Sequence, residues 1–91
     1  MPEDTQRITW DKLTEEKLLK ILEQIPDMIR GIAEARVCRK AEDIVRGQNR
    51  FVIMEKDMVD AFFAETPGGF MPVMKNSMKE LGIDYTQYGH S

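Results

Sequence analysis

Apolar residues return every three or four positions through much of the chain, which is the spacing of one face of an α-helix. The longest such segment predicts an amphipathic helix over residues 27–46, and a shorter one predicts a helix over residues 13–24. Thr14 is expected to open the first helix, because a hydroxyl group can accept hydrogen bonds from the free N–H groups there. Pro26 lies between them, where it ends one helix or begins the next.

The second half of the chain has shorter elements. Residues 51–54 form a β-prone run that predicts an extended connector. A short helix is predicted from Glu55 to the Thr-Pro-Gly-Gly breaker at residues 66–69. A last helix follows, with Gly82 as its C-terminal cap. Residues 83–91 are predicted to be an extended tail.

These elements predict an all-α fold: a single small domain of three to four helices with one long central amphipathic helix. Residues 1–7 are expected to be a frayed N-terminus and residues 8–65 a helical module, followed over residues 66–91 by a Gly/Pro linker, a Met-rich helix and the tail. The predicted structural core consists of Trp10, Leu22, Ile25, Pro26, Ile29, Ile32, Val59 and Phe62.

Composition limits the class of protein. The chain has 91 residues, of which 42% are hydrophobic and 32% charged, so one domain with a thin core is expected. Cys38 is the only cysteine, which excludes an intramolecular disulfide and a four-cysteine metal site. The longest apolar runs are too short for a membrane span, and the acidic start is not typical of a signal peptide. We therefore expect a cytoplasmic protein.

Candidate catalytic groups are sparse. The one nucleophile and base that could pair are Cys38, in the long helix, and His90, in the predicted tail. Neighbouring carboxylates such as Glu42 and Asp43 are typical of a solvated helix face, and no His or Glu spacing typical of a metal site occurs. The sequence thus predicts no catalytic residue, no metal site and no cofactor, and leaves open whether the protein has any enzymatic role.

Two groups of residues are candidates for binding a partner. Arg30, Arg36 and Arg39 lie in the central segment, residues 26–50, whose charges sum to +2 although the whole chain carries −3. They either form ion pairs within the helix, as Arg30–Glu34 and Arg39–Asp43 spacing allows, or face an anionic partner. The second group is the methionine stripe of the last helix, which suits both core packing and an adaptable binding surface. It consists of Met71, Met74 and Met78.

The order of several residues is similar to that of a known family. The residues that carry the resemblance are Ile8-x-Trp10, Leu18, Leu22, Ile25-Pro26, Ile29-Arg30, Ala33, Ala35-Arg36, Ala41-Glu42, Gly47, Ile53, Glu55 and Met58-Val59-x-Ala61. Over residues 8–62 the chain resembles the small C-terminal domain of the B subunit of light-independent (dark-operative) protochlorophyllide reductase. In that enzyme the iron–sulfur cluster and the catalytic acid belong to the large part of the subunit, which has no counterpart here.

The resemblance implies an accessory role. We expect a non-catalytic module that binds another protein or forms a homo-oligomer, with a tetrapyrrole as a possible ligand by resemblance only. One alternative is a detached lobe of a tetrapyrrole oxidoreductase that helps to cover substrate. A second alternative is a histone-fold-like dimer that binds DNA, suggested by the order of a short helix, a long helix and a short helix. The net charge of −3 argues against nucleic-acid binding.

Overall fold

The computed structural model describes residues 7–91, so the predicted frayed N-terminus lies outside the described residues except for Arg7. Within this range the chain forms four helices and little strand, which confirms the predicted small all-α domain. The elements are β1 (Thr9–Trp10), α1 (Lys12–Glu23), α2 (Asp27–Gly47), β2 (Val52–Ile53), α3 (Glu55–Glu65), a 3₁₀ turn (Gly68–Phe70), α4 (Met71–Glu80) and a second 3₁₀ turn (Tyr85–Tyr88).

The start of α1 is set by an aspartate. Asp11 is the N-cap, and its Oδ2 accepts hydrogen bonds from the backbone N of Thr14 at 3.0 Å and from Thr14 Oγ1 at 2.9 Å. Thr14 is the third residue of α1 and donates to this cap, so the prediction that its hydroxyl opens the helix was wrong. An aspartate followed three residues later by a threonine is itself a capping arrangement, because both partners lie at the first turn.

Arg30 closes the corner between α1 and α2. Its Nε donates to the carbonyl of Leu22 at 2.8 Å, and one Nη donates to the carbonyl of Ile25 at 2.9 Å. The other Nη lies 2.8 Å from the carboxylate of Asp27. The last carbonyls of a helix have no N–H partner four residues later, and the guanidinium adds a donor to the Leu22 carbonyl, which also accepts from the Ile25 N–H at 3.0 Å. The arginine is thereby tied to the corner.

The predicted extended connector is a strand with a partner. β2 pairs in parallel with β1, with Thr9 opposite Val52 and Trp10 opposite Ile53. The hydrogen bonds from Thr9 N to Phe51 O and from Asp11 N to Ile53 O are both 2.9 Å long. The pairing ties the segment before α1 to the segment before α3, and the sequence pattern alone did not predict it.

A buried carboxylate holds the junction of α2, β2 and α3. Asp57 is 2% exposed, and its Oδ2 accepts a hydrogen bond from the backbone N of Met54 at 2.9 Å. Its Oδ1 lies 2.5 Å from Nη2 of Arg50, the third residue after α2. A buried charge is tolerated only when it is paired and hydrogen-bonded, and both conditions are met here.

The core lies between the C-terminal half of α2, α3, and the inner faces of α1 and α4. Its α2 members are Val37, Ala41 and Val45. Of the predicted core residues, Leu22, Val59 and Phe62 are buried, whereas Trp10 and Ile25 are half-buried at its edge.

The core prediction needs correction at Pro26, Ile29 and Ile32, which are exposed. The reason is length: α2 has 21 residues and α3 has 11, so α3 covers only part of the long helix. The first half of α2 keeps its apolar residues at the surface. Helical periodicity identifies apolar positions but does not show which of them a neighbour covers.

The last helix docks on the core. Met74 and Met78 are buried, Met71 is half-buried, and the following Gly82 has a φ of +76°, the left-handed conformation expected of a glycine after a helix end. Residues 83–91 are not an extended tail, because Ile83 and Tyr85 enter the core.

The segment 83–90, here called the C-terminal clasp, is fastened to α3. Tyr88 Oη donates to Glu55 Oε2 at 2.8 Å, and His90 Nε2 lies 2.6 Å from Asp60 Oδ1. The His90 ring stacks on Phe63 with 4.0 Å between centroids. Burial alone raises the pKa of Glu55 and of Asp60, but hydrogen bonds from the clasp and from nearby lysines outweigh it and lower both pKa values.

None of the helices within residues 7–91 combines the length and the apolar character that crossing a bilayer requires.

We predict that Asp57→Ala lowers the free energy of unfolding by about 3 kcal/mol, because it removes a buried, charge-assisted acceptor and leaves the Met54 N–H without its partner. Urea unfolding followed by circular dichroism measures the loss. Asp43→Ala is the control: Asp43 forms an exposed pair with Arg46 at 3.4 Å, so its loss is expected to stay within about 0.5 kcal/mol. Equal losses in the two variants would contradict the assigned role of Asp57.

We also predict a loss of stability at high pH that depends on Tyr88. Burial and the hydrogen bond to Glu55 raise the pKa of Tyr88 from 10.0 to about 12. Because the folded pKa is the higher one, the bond stabilises the protein fully below about pH 10 and is lost as pH rises towards 12. Urea unfolding at about pH 8 and about pH 11 should therefore show a larger decrease for the wild type than for Tyr88→Phe. Parallel decreases would show that the clasp does not depend on this bond.

Candidate functional site

An apolar groove of about 360 Å³ lies between the first half of α2, the end of α3 and α4. Buried core residues form its floor. The floor includes Ile21, Val37, Phe62 and Met74. Its walls are exposed apolar side chains of α2 on one side and of the α4 region on the other. They include Ile29, Ile32, Phe70 and Val73.

The α2 wall is a continuous apolar face. Ile32 and Ala33 follow Ile29 by three and four residues, so the three lie along one side of α2, and Ile25, just before the helix, extends this line. Ile32 is 60% exposed, and Val73 on the opposite wall is 52% exposed. Large apolar side chains that line a concave surface and remain in water are typical of a binding site.

Few polar groups line the groove. The charged ones are Arg36, on α2, and Glu65, the last residue of α3. Within residues 7–91, no ion pair within 4.0 Å involves either of them. The groove thus combines an apolar floor with one positive and one negative group at its edges.

The structure separates the three candidate arginines. Arg36 lines the groove, and Arg39 is exposed one turn further along α2. Arg30 is bound to backbone carbonyls at the corner of α1 and α2. Neither Arg30–Glu34 nor Arg39–Asp43 forms an ion pair in the described part of the chain: Arg30 pairs with Asp27.

The three candidate methionines also differ. Met74 contributes to the groove floor and is 6% exposed. Met78 is completely buried, and Met71 is half-buried against the core. The stripe therefore serves core packing first, and only Met74 reaches the groove.

The apolar walls of the groove do not follow from the helical periodicity of the sequence. Ile29 and Ile32 were assigned to the core, and Phe70 and Val73 were not singled out. A signal was available in the helix lengths, because a helix of 11 residues over 55–65 is too short to cover the whole apolar stripe of a helix of 21 residues.

Cys38 and His90 have separate environments. Cys38 is half-buried in α2, where burial first, and then the charges of Glu34 and Glu42, raise the pKa of the thiol. His90 is engaged with Asp60 in the C-terminal clasp. Among the side chains of residues 7–91, no three His, Cys, Asp or Glu groups are placed to hold a metal ion.

No protein-family model, no curated protein and no solved structure matches this chain. The resemblance to the reductase C-terminal domain therefore stays a prediction.

We predict that Ile32→Asp leaves the free energy of unfolding within about 0.5 kcal/mol of the wild type, because the new carboxylate remains in water. The matched control is Ile21→Asp, which makes the same change at a residue that is 1% exposed. That variant is expected to unfold, since it places an unpaired charge in the core. Thermal unfolding by circular dichroism measures both, and a strong loss for Ile32→Asp would contradict the position assigned to the groove wall.

Proposed function

We propose that this chain is a non-catalytic protein-interaction module, and that the groove receives the apolar face of an amphipathic helix from a partner protein. The observation that supports it is the exposed apolar face of α2 at Ile29 and Ile32, which lines the groove together with Phe70 and Val73. Apolar surface in water is unfavourable by roughly 25 cal/mol per Å², so covering this face provides a driving force for association.

The length of the groove suits a helix. From Pro26 to Arg36 the α2 wall extends about 15 Å at the rise of an α-helix, or about three turns. A helix that presents apolar residues at positions i, i+3 or i+4, and i+7 spans about 10 Å, which fits within that length. Buried floor residues such as Phe62 give such anchors a preformed surface.

The exposed outer edges of the groove walls, here called its rims, favour a macromolecule over a small ligand. Ile32, Phe70 and Val73 are 47–60% exposed, so they stand at the edge of the groove as well as lining it. A small molecule held on the floor leaves these side chains in water. A helix seated between α2 and α4 covers the floor and both rims, which removes more apolar surface from water.

We predict that a blocked, uncharged helical peptide with a leucine stripe binds the groove and shifts the methyl NMR signals of Ile29, Ile32 and Val73. Ile32→Asp should weaken binding by about tenfold or more, because the carboxylate must be desolvated beneath the peptide. Leu13→Asp is the matched control, since Leu13 is 67% exposed and does not line the groove.

Two results would contradict the proposal. One is the absence of any peptide-induced shift in the groove methyl groups. The other is an equal loss of affinity in Ile32→Asp and Leu13→Asp, which would indicate general hydrophobic association instead of a defined site.

The alternative functions can be separated with the same variants. An apolar groove with a cation at its edge is also compatible with a tetrapyrrole lobe, and zinc protoporphyrin is the probe. A spectral shift on titration that Ile32→Asp abolishes would favour that alternative over helix binding. A dimeric mass together with salt-sensitive binding of duplex DNA would instead favour the histone-like alternative.

A further inference from the structure

We infer that the partner helix carries acidic side chains at the end that lies over Arg36, Arg39 and Lys40, here called the cationic end of the groove. This inference rests on the proposed function, because it specifies the chemistry of the helix that the groove accepts. Its basis is the change of character along one face of α2, from apolar residues over positions 25–33 to cations from position 36 onward.

The three cations belong to one surface. Arg36 lines the groove, and residues three and four positions later in a helix are its nearest neighbours on the same face. Those positions are Arg39 and Lys40, both within α2. A helix that lies along the α2 wall and continues past Ala33 must therefore pass over positive charge.

The charges of this group are not matched within the described chain. Among residues 7–91 no carboxylate lies within 4.0 Å of the charged nitrogens of Arg36, Arg39 or Lys40. Other cations of the same helix and its end are paired: Arg46 with Asp43, and Arg50 with Asp57. Positive groups beside an apolar surface attract a partner with negative groups at the corresponding end.

Three acids lie near the cationic end. Glu42 follows Arg39 by three residues, but within residues 7–91 it forms no ion pair within 4.0 Å. Asp43 follows Arg39 by four residues, but its carboxylate is 3.4 Å from Arg46. Glu65 lines the groove on the opposite wall, at the end of α3. The acidic residues of the partner are accordingly expected on its α2 side, with uncharged or basic residues facing Glu65.

A second copy of this chain fits less well. If the α2 faces of two copies packed in parallel, Arg36, Arg39 and Lys40 would face the same cations of the other copy. Like charges that face each other across an interface are unfavourable. In an antiparallel pairing centred on Ile32 they would lie opposite positions 24–28, where the one acid, Asp27, is already paired with Arg30. An anionic lipid surface also matches the cations, but the apolar residues line a concave groove, whereas a flat bilayer contacts convex surface.

The test compares three blocked helical peptides with the same leucine stripe: one with glutamates in the first turn, one with glutamates in the last turn, and one with glutamines at both ends. Isothermal titration calorimetry at low salt measures their affinities. We expect one glutamate peptide to bind about tenfold more tightly than the glutamine peptide, with the difference falling as salt is added. The opposite glutamate peptide should gain little, because its acids lie away from the cationic end.

Two double variants test whether the preference for a glutamate peptide comes from the cationic end. Arg36→Gln/Arg39→Gln should remove the preference for glutamate and leave the glutamine peptide bound as before. Lys12→Gln/Lys79→Gln is the matched control, since it makes the same change in net charge at exposed residues that do not line the groove, and it should keep the preference.

The outcomes distinguish a failure of the acidic-partner inference from a failure of the proposed helix-binding function. Equal affinities for all three peptides, with binding still lost in Ile32→Asp, overturn the acidic partner and leave the helix-binding groove supported. Binding of none of the peptides overturns both. Binding of anionic phospholipid vesicles that depends on Arg36 and Arg39, with no preference among the peptides, replaces the acidic helix with a lipid surface.

Discussion

The paired carboxylate of Asp57 is the interaction on which the rest of the architecture depends. It lies in the first turn of α3, accepts the Met54 N–H at the end of β2, and is paired with Arg50 just after α2. One buried side chain thus fixes the direction in which the chain leaves α2 and enters α3. Since β2 also pairs with β1, the same junction positions the segment that leads into α1. Three helices are oriented from this point.

The groove exists because α3, with 11 residues, is shorter than α2, with 21. From its fixed start, α3 packs on α2 and ends at Glu65, which is at the groove. Beyond that residue the first half of α2 has no helix of equal length to cover it, and α4 packs through Met74 and Met78 while leaving Val73 exposed. The C-terminal clasp is bound to α3 at Glu55 and Asp60, and neither of these residues lines the groove.

Local chemistry allowed much of the fold to be predicted. The bounds of α2 follow from the helical periodicity of its apolar residues. The start of α3 at Glu55 follows from the acids in its first turn, and the end of α4 follows from the conformational freedom of Gly82. The parallel pairing of β1 with β2 and the docking of the clasp could not be derived in that way. They join residues thirty or more positions apart, and no local preference encodes which distant segment supplies the hydrogen-bonding partner.

The same division applies to the candidate site. The sequence by itself determined that α2 is amphipathic, that its cations follow its apolar residues, and that the last helix carries methionines on one face. Only the tertiary structure decided that Met78 is core, that Arg30 binds a helix end, and that Ile29 and Ile32 form a groove wall instead of a core layer. The physical reason is that periodicity records which side chains avoid water, whereas burial depends on the length and placement of the neighbouring helices that cover them.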